Sequence, residues 1–248
     1  MEGTNFFRSR FYLEKSAPMQ FAPIYPFLYR LLAPTFPNCL WSGRSDRNQI
    51  ALTFDDGPHP EYTPQLLKVL ERYDQVASFF CLGSCVRTNP EIVREISQRG
   101  HWLGLHGYKH KSFPSLSQDE VNKSLLETRA AIASVTDIEP DRLVDVRPPN
   151  GLFTPAILRQ LENLGYRVVM WSLVSEDWRN PGIEVICDRV TNQIKNGANI
   201  VLHDGCYGGG KDVAAILANL IPRLLDRGYQ FVSINDFWQQ KLELSNSQ

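Results

Sequence analysis

The segment Thr53-Phe54-Asp55-Asp56-Gly57-Pro58-His59-Pro60 sets two adjacent carboxylates at the end of a short apolar run. Ile50 to Phe54 is β-branched and aromatic, which is the composition of a buried strand. Gly57-Pro58 then takes the backbone out of extended pairing, so Asp55 and Asp56 stand at a strand's carboxyl end. Neighbouring carboxylates repel, and a cation or an arginine is needed to offset their charge. Taken alone, Asp-Asp-Gly-Pro is also ordinary turn chemistry, and the pair reads equally as a turn cap.

Beyond Ile50, short apolar runs alternate with amphipathic stretches that carry apolar residues at three- and four-residue spacing. The pattern predicts strands at Ala51–Phe54, Val76–Leu82, Trp102–His106, Leu143–Arg147, Arg167–Ser172, Asn199–His203 and Gln230–Ile234. Helices are expected at Pro64–Tyr73, Glu91–Arg99, Gln118–Val135, Pro155–Leu164, Glu184–Asn196 and Val213–Arg227. Gly100, Gly165, Gly197 and Gly228 close several of them, as a left-handed last turn requires. Such alternation implies an α/β fold of parallel strands, wrapped into a barrel or wound as an open sheet.

A chain of 248 residues that is 43% apolar is long enough for one large domain. Residues 50–240 are expected to form it and 241–248 a polar tail, frayed from Glu243. Residues 1–49 read as an N-terminal extension, either an arm packed on the domain or a weak targeting segment, since Arg8, Arg10 and Lys15 precede an apolar stretch. Cytoplasmic and exported locations both stay open. Pro18, Pro23, Pro26, Pro34 and Pro37 break that stretch and Arg30 interrupts it, which argues against a stable membrane span and against a helix. A net charge of −1 gives no basic field for nucleic acid. The five cysteines, Cys39, Cys81, Cys85, Cys187 and Cys206, match neither a zinc finger nor a disulfide framework. No oligomerisation signal stands out.

The unusual polar residues fall at or just past the ends of the expected strands: Asp55 and Asp56, His106 and His110, Arg147, Asp177 with Trp178, and His203 with Asp204. In parallel barrels and open sheets alike, ligands and catalytic groups gather at the carboxyl ends of strands. His106 and His110 are four residues apart. With Asp56 they compose a two-imidazole, one-carboxylate set that suits one hydrolytic divalent ion, Zn²⁺ first, with Co²⁺, Ni²⁺, Mn²⁺ and Fe²⁺ left open. His59 either lines a groove beside the acids or sits in a solvated turn, and His101 reads as structural.

Thr53-Phe54-Asp55-Asp56-Gly57-Pro58, His106 to His110, Arg147-Pro148-Pro149-Asn150-Gly151, Asp177-Trp178 and Val201-Leu202-His203-Asp204 resemble, in order, the motifs of the NodB-like polysaccharide deacetylases, the family 4 carbohydrate esterases. The resemblance runs from about Ile50 to Phe237 and implies a distorted (β/α) barrel of about seven parallel strands, short of the usual eight. The activity it implies is metal-assisted removal of acetyl groups from N-acetylated sugars of a peptidoglycan- or chitin-like glycan. Asp56, His106 and His110 would hold the ion and Asp55 would be the general base. Arg147 would sit beside Asp55 with Asp177 as its partner. The backbone N–H of Asn150 would stabilise the oxyanion, and His203 would be the general acid. Trp178 and Leu202 would wall the pocket for the acetyl methyl.

Three positions depart from the family pattern. Gly107 stands where Ser or Thr is usual, which predicts a looser loop, Asn150 where Tyr is common, and Val174 where an acid is expected. Tyr207-Gly208-Gly209-Gly210-Lys211 reads either as a closing loop or as slack, and not as a phosphate loop. An O-acetyl polysaccharide esterase and a non-catalytic glycan-binding barrel are the competing readings.

Overall fold

The computed structural model describes residues 24–205, 207 and 210–245. Its frame is a sheet of parallel strands: β1 (Gln49–Asp55), β2 (Ser78–Cys81), β3 (Trp102–Leu105), β4 (Asp145–Val146), β5 (Arg167–Val168), β6 (Leu173–Val174), β7 (Asn199–His203) and β8 (Gln230–Phe231). Seven of them run in the order β5-β4-β3-β2-β1-β7-β6, and β8 pairs with the first residues of β1. This is the distorted barrel of seven parallel strands. Around it lie α1 (Tyr25–Thr35), α2 (Tyr62–Arg72), α3 (Gly83–Thr88), α4 (Pro90–Gln98), α5 (Gln118–Ala133), α6 (Pro155–Asn163), α7 (Ile183–Gln193), α8 (Val213–Leu225) and α9 (Ile234–Ser245).

Strand β1 is central and covered on both faces, which is why its sequence is apolar nearly throughout. Alternation then separates two environments. Ile50, Leu52 and Phe54 join the large cluster under the helices, whereas Ala51 joins Leu40, Phe80, Val169, Ile234, Phe237 and Trp238 in a smaller one. That second cluster lies on the inner face of the sheet, and α9 supplies three of its members. Farther along β1, Thr53 and Asp55 continue the inner face and meet a fully buried Arg147. The barrel interior therefore passes from apolar to charged toward the strands' carboxyl ends.

Three features differ from the sequence expectation. The strand expected over Arg167–Ser172 stops at Val168, and a separate β6 follows. Between them the Val169 and Met170 carbonyls accept bonds from the Arg147 side chain, and Asn199 donates to Met170 as well, so side chains occupy acceptors that a neighbouring strand would use. Helix α1 forms despite its prolines because Pro26 occupies the first turn, where no intrahelical donor is needed, and Pro34 falls in the last turn. Helices α3 and α9 were not expected; α9 carries helix through Ser245, into the stretch expected to fray.

The sheet's two ends, β5 and β6, do not pair with each other, and residues 24–41 cover this seam. The Leu40 N–H donates to Val168 O, and Leu40 O accepts from Met170 N–H, both at 2.8 Å. Cys39, Leu40 and Trp41 are buried, and Trp41 meets Trp171 edge to face at 6.4 Å. Of the expected extension, Tyr29, Leu32, Ala33 and Phe36 pack against the core beside the buried Cys39, Leu40 and Trp41, and Gln49 opens β1, while residues 1–23 lie outside the described residues. Cys39, Cys81 and Cys187 are buried thiols without disulfides, and burial pushes Cys39 up to about 12.

If the seam is part of one cooperative unit, Trp41→Ala should destabilise the whole chain by about 3–5 kcal/mol, as a large-to-small core change does. Urea denaturation followed by circular dichroism reads this. A loss below about 1 kcal/mol would show the segment to be a detachable strap.

Candidate active site

The two acids of β1 diverge at once. Asp55 is the last residue of the strand and points inward, whereas Asp56 adopts a left-handed backbone with φ of 74° that turns its side chain elsewhere. Arg147 Nη1 donates to Asp55 Oδ1 at 2.8 Å and to Thr53 Oγ1 at 2.7 Å, and Nη2 donates to Met170 O at 2.9 Å. The guanidinium also lies 4.2 Å from the centre of the Phe80 ring. Its charge is thereby neutralised and its donors engaged without solvent.

Asp56 faces the histidines. Its Oδ1 lies 3.3 Å from His106 Nε2 and 3.3 Å from His110 Nε2. One ligand atom from each of the three residues falls within 4.8 Å of the others, which makes them a possible metal site. The donor chemistry fits a divalent ion. Asp56 Oδ1 is buried with no hydrogen-bond partner, a costly arrangement unless a cation takes that lone pair. His106 Nδ1 bonds to the Arg147 carbonyl at 2.7 Å, which fixes the ring with Nε2 toward Asp56, as outer-shell partners of metal ligands do. The expectation of a loose loop at Gly107 meets firm anchors instead. Gly83 N–H donates to Gly107 O at 3.0 Å, Ser84 N–H to Tyr108 O at 2.9 Å, and Ser124 Oγ accepts from Tyr108 N–H at 2.7 Å. Gly107 itself has φ of 81°, a conformation that suits glycine.

Across the mouth, His203 ends β7 directly beside Asp55 in register. Asp177 grips it twice: Oδ1 lies 2.9 Å from Nδ1, and Oδ2 accepts the His203 backbone N–H at 2.7 Å. The sequence reading assigned Asp177 to Arg147, and the structure assigns it to His203. The reason is sheet order, since β6 leads to Asp177 and borders β7, while Arg147 follows β4 on the other side of the barrel.

A sequence profile of the polysaccharide deacetylases matches residues 42–169. A peptidoglycan-N-acetylglucosamine deacetylase of Bacillus cereus is 34% identical over 203 residues, which span 81% of this chain and 93% of that one. The chain belongs to the polysaccharide deacetylase family. A chitooligosaccharide deacetylase of Sinorhizobium fredii is 33% identical over 73% of this chain and 87% of its own. The crystal structure of a peptidoglycan N-acetylglucosamine deacetylase bound to a naphthyl N-hydroxybenzamide superposes with a TM-score of 0.77 at 28% identity, covering 82% of this chain and 93% of that one.

Other expected site residues of this deacetylase homologue are placed as follows. Trp178 is half-buried beside His203, with ring centroids 5.2 Å apart. Leu202 is fully buried in the main core, paired with Phe54, so it backs the site from within and presents no open surface. His59 does not sit free in a solvated turn. Its Nδ1 accepts the backbone N–H groups of Glu61 and Tyr62 at the start of α2, and its ring stacks on Tyr62 at 3.8 Å. Asn150 has φ of 60° and its side chain donates to Ser112 Oγ at 2.7 Å, which ties its loop to the segment after His110. His101 is buried against Phe79, and burial drops it to about 4.

Two buried groups escaped the sequence reading. Glu176 and Arg189 pair at 3.2 Å beneath the Asp177 turn, and Arg189 also donates to Ser175 O. The acid was visible beside Asp177, but nothing local points to an arginine on α7. Asp204, grouped with His203 in the sequence, is buried against Gly57. Its Oδ2 accepts from Thr63 Oγ1 at 2.6 Å, and burial, with Asp55 and Asp56 nearby, raises it to about 7.

Burial disfavours charge on His203, but the charge and hydrogen bond of Asp177, with Asp55 and Asp56 adding, outweigh it and raise the imidazole from 6.5 to about 9. A raised folded value means that His203 contributes stability fully below 6.5, and that this contribution is lost as pH climbs through about 9. In Asp177→Asn the titration midpoint of His203, followed by NMR, should fall, and the loss of stability between those pH values should shrink with it. A midpoint that stays near 9 would show that Asp177 is not the group holding the proton there.

Proposed function

We propose that this chain hydrolyses the N-acetyl group of N-acetylhexosamine units in a glycan of the peptidoglycan or chitin kind, with a divalent ion, Zn²⁺ first, held by Asp56, His106 and His110. The observation that carries the reading is the buried, unpartnered Asp56 Oδ1 between two imidazoles, set at the same strand ends as an Arg147-bound carboxylate and an Asp177-bound imidazole. The names of the relatives support the substrate class.

When bound, the ion supplies a Lewis acid for the acetyl carbonyl and eases removal of a proton from water. Asp55 accepts that proton as the water oxygen bonds to the carbonyl carbon, and Arg147 fixes the carboxylate through Oδ1. Asp56 is held ionised: burial opposes this, but His106 at 3.3 Å and the charges of the three nearby histidines prevail. The two acids therefore take different parts. The Asn150 N–H serves the developing oxyanion. His203, protonated at neutral pH with a value of about 9, gives its proton to the nitrogen as the C–N bond breaks, leaving acetate and a free amine. Amide cleavage needs that step, because an amide anion is a very poor leaving group.

Asp55→Asn should keep metal bound at wild-type stoichiometry and lose acetate release from N-acetylated oligosaccharides by about 10²–10⁴-fold, the usual worth of a general base. Undiminished release would remove Asp55 from that role. An O-acetylated substrate assayed alongside separates amide from ester specificity.

A further inference from the structure

Aromatic side chains run in a line from the barrel seam to its mouth. Trp171, which meets Trp41 in the seam, lies 5.9 Å from Tyr25 at 86°; Tyr25 lies 6.4 Å from Trp178 at 77°; and Trp178 lies 5.2 Å from His203 at 77°. Each contact is edge to face, the favoured geometry for aromatic pairs. Tyr25 is the first residue of α1 and precedes the stretch that matches the family profile, residues 42–169. A side chain outside the matched stretch thus touches the indole that borders His203.

Trp178 needs such a neighbour. It sits in a three-residue 3-10 turn at Asp177–Arg179, flanked by left-handed Glu176 with φ of 56° and Asn180 with φ of 49°. The backbone there is held by Arg189 and Ser175, but the indole is only half-buried, and among the described residues its ring neighbours are Tyr25 and His203. Helix α1 is itself placed by the Leu40 bridge and by Tyr29, whose hydroxyl bonds to Ser42 Oγ at 3.1 Å. The path from seam to mouth is one of packed rings.

We propose that Tyr25 is a positioning residue for Trp178. By fixing the indole against His203, the N-terminal helix sets the room beside His203 in which the acyl group is seated and restricts the substrate to short acyl groups, acetyl over propionyl. The assignment rests on the hydrolytic reading of His203. The proposal assigns the effect to the ring, which makes the edge-to-face contacts with Trp171 and Trp178.

The test compares kcat and KM for N-acetylated and N-propionylated chitooligosaccharides in wild type, Tyr25→Phe, Tyr25→Leu and Tyr25→Ala. Alongside it, ¹⁹F NMR of fluorotryptophan-labelled protein follows Trp178, assigned through Trp178→Phe. Tyr25→Ala and Tyr25→Leu should lower the acetyl-over-propionyl ratio of kcat/KM by about tenfold, the order that one methylene is worth in a fitted pocket. They should also shift or broaden the Trp178 resonance, while Tyr25→Phe keeps both at wild-type values. An unchanged ratio, an equal loss on both substrates, or an unmoved Trp178 resonance overturns the proposal. A wild type that releases neither acyl group overturns the deacetylase reading, and the resonance still decides the role of Tyr25. Leucine keeps the apolar bulk, so that a folding defect in the alanine variant does not obscure the result.

Discussion

A guanidinium with no exposed surface needs an opposite charge and acceptors for its N–H groups, and in the middle of this barrel Arg147 has both. Removing one partner from such a pair costs about 3–5 kcal/mol, because the other charge stays buried. That constraint couples distant parts of the chain. The side chain of Arg147 ties the end of β1 to the irregular stretch between β5 and β6, and its carbonyl oxygen receives His106. The position of the candidate base and the orientation of a candidate metal ligand therefore depend on one residue.

The layering of the interior follows from the same constraint. Below Arg147, α9 fills the barrel with the buried side chains of Ile234, Phe237 and Trp238. Above it, Asp55, Asp56, His106, His110 and His203 lie at the strand ends, where the side chains of His110 and His203 keep 16% exposure each. Burial is thus graded toward the mouth, and a low dielectric behind the site strengthens every charge interaction in it. The seam between β5 and β6 is the one edge that the sheet does not close on itself, and the chain's own residues 24–41 close it.

Much of this was legible in the sequence because it is local. An apolar run that stops at Asp55-Asp56 fixes where those acids stand, and His106 to His110 follows another strand end by the same logic. The partner of Asp177 was not legible, since it depends on which strand ends are neighbours across the barrel, and sheet order is not written in any single segment. The break of one expected strand into β5 and β6 was hidden for a related reason: the Val169 and Met170 carbonyls are claimed by an arginine about twenty residues upstream. Proline counting failed for α1 because the cost of proline depends on its position within a helix, and Pro26 sits where the cost vanishes. His59 was ambiguous in sequence because a turn histidine and a capping histidine share the same context until the backbone N–H groups that it accepts are seen.

The proposed chemistry turns on Asp56, His106 and His110 holding a divalent ion. The most direct measurement is acetate release from an N-acetylated oligosaccharide after exhaustive chelation, and again after one equivalent of Zn²⁺ or Co²⁺ per chain is returned, with His106→Ala treated in parallel. Release should stop on chelation, return with the metal in the wild type, and fail to return in the variant. Release that persists through chelation, or that His106→Ala retains, would contradict that chemistry.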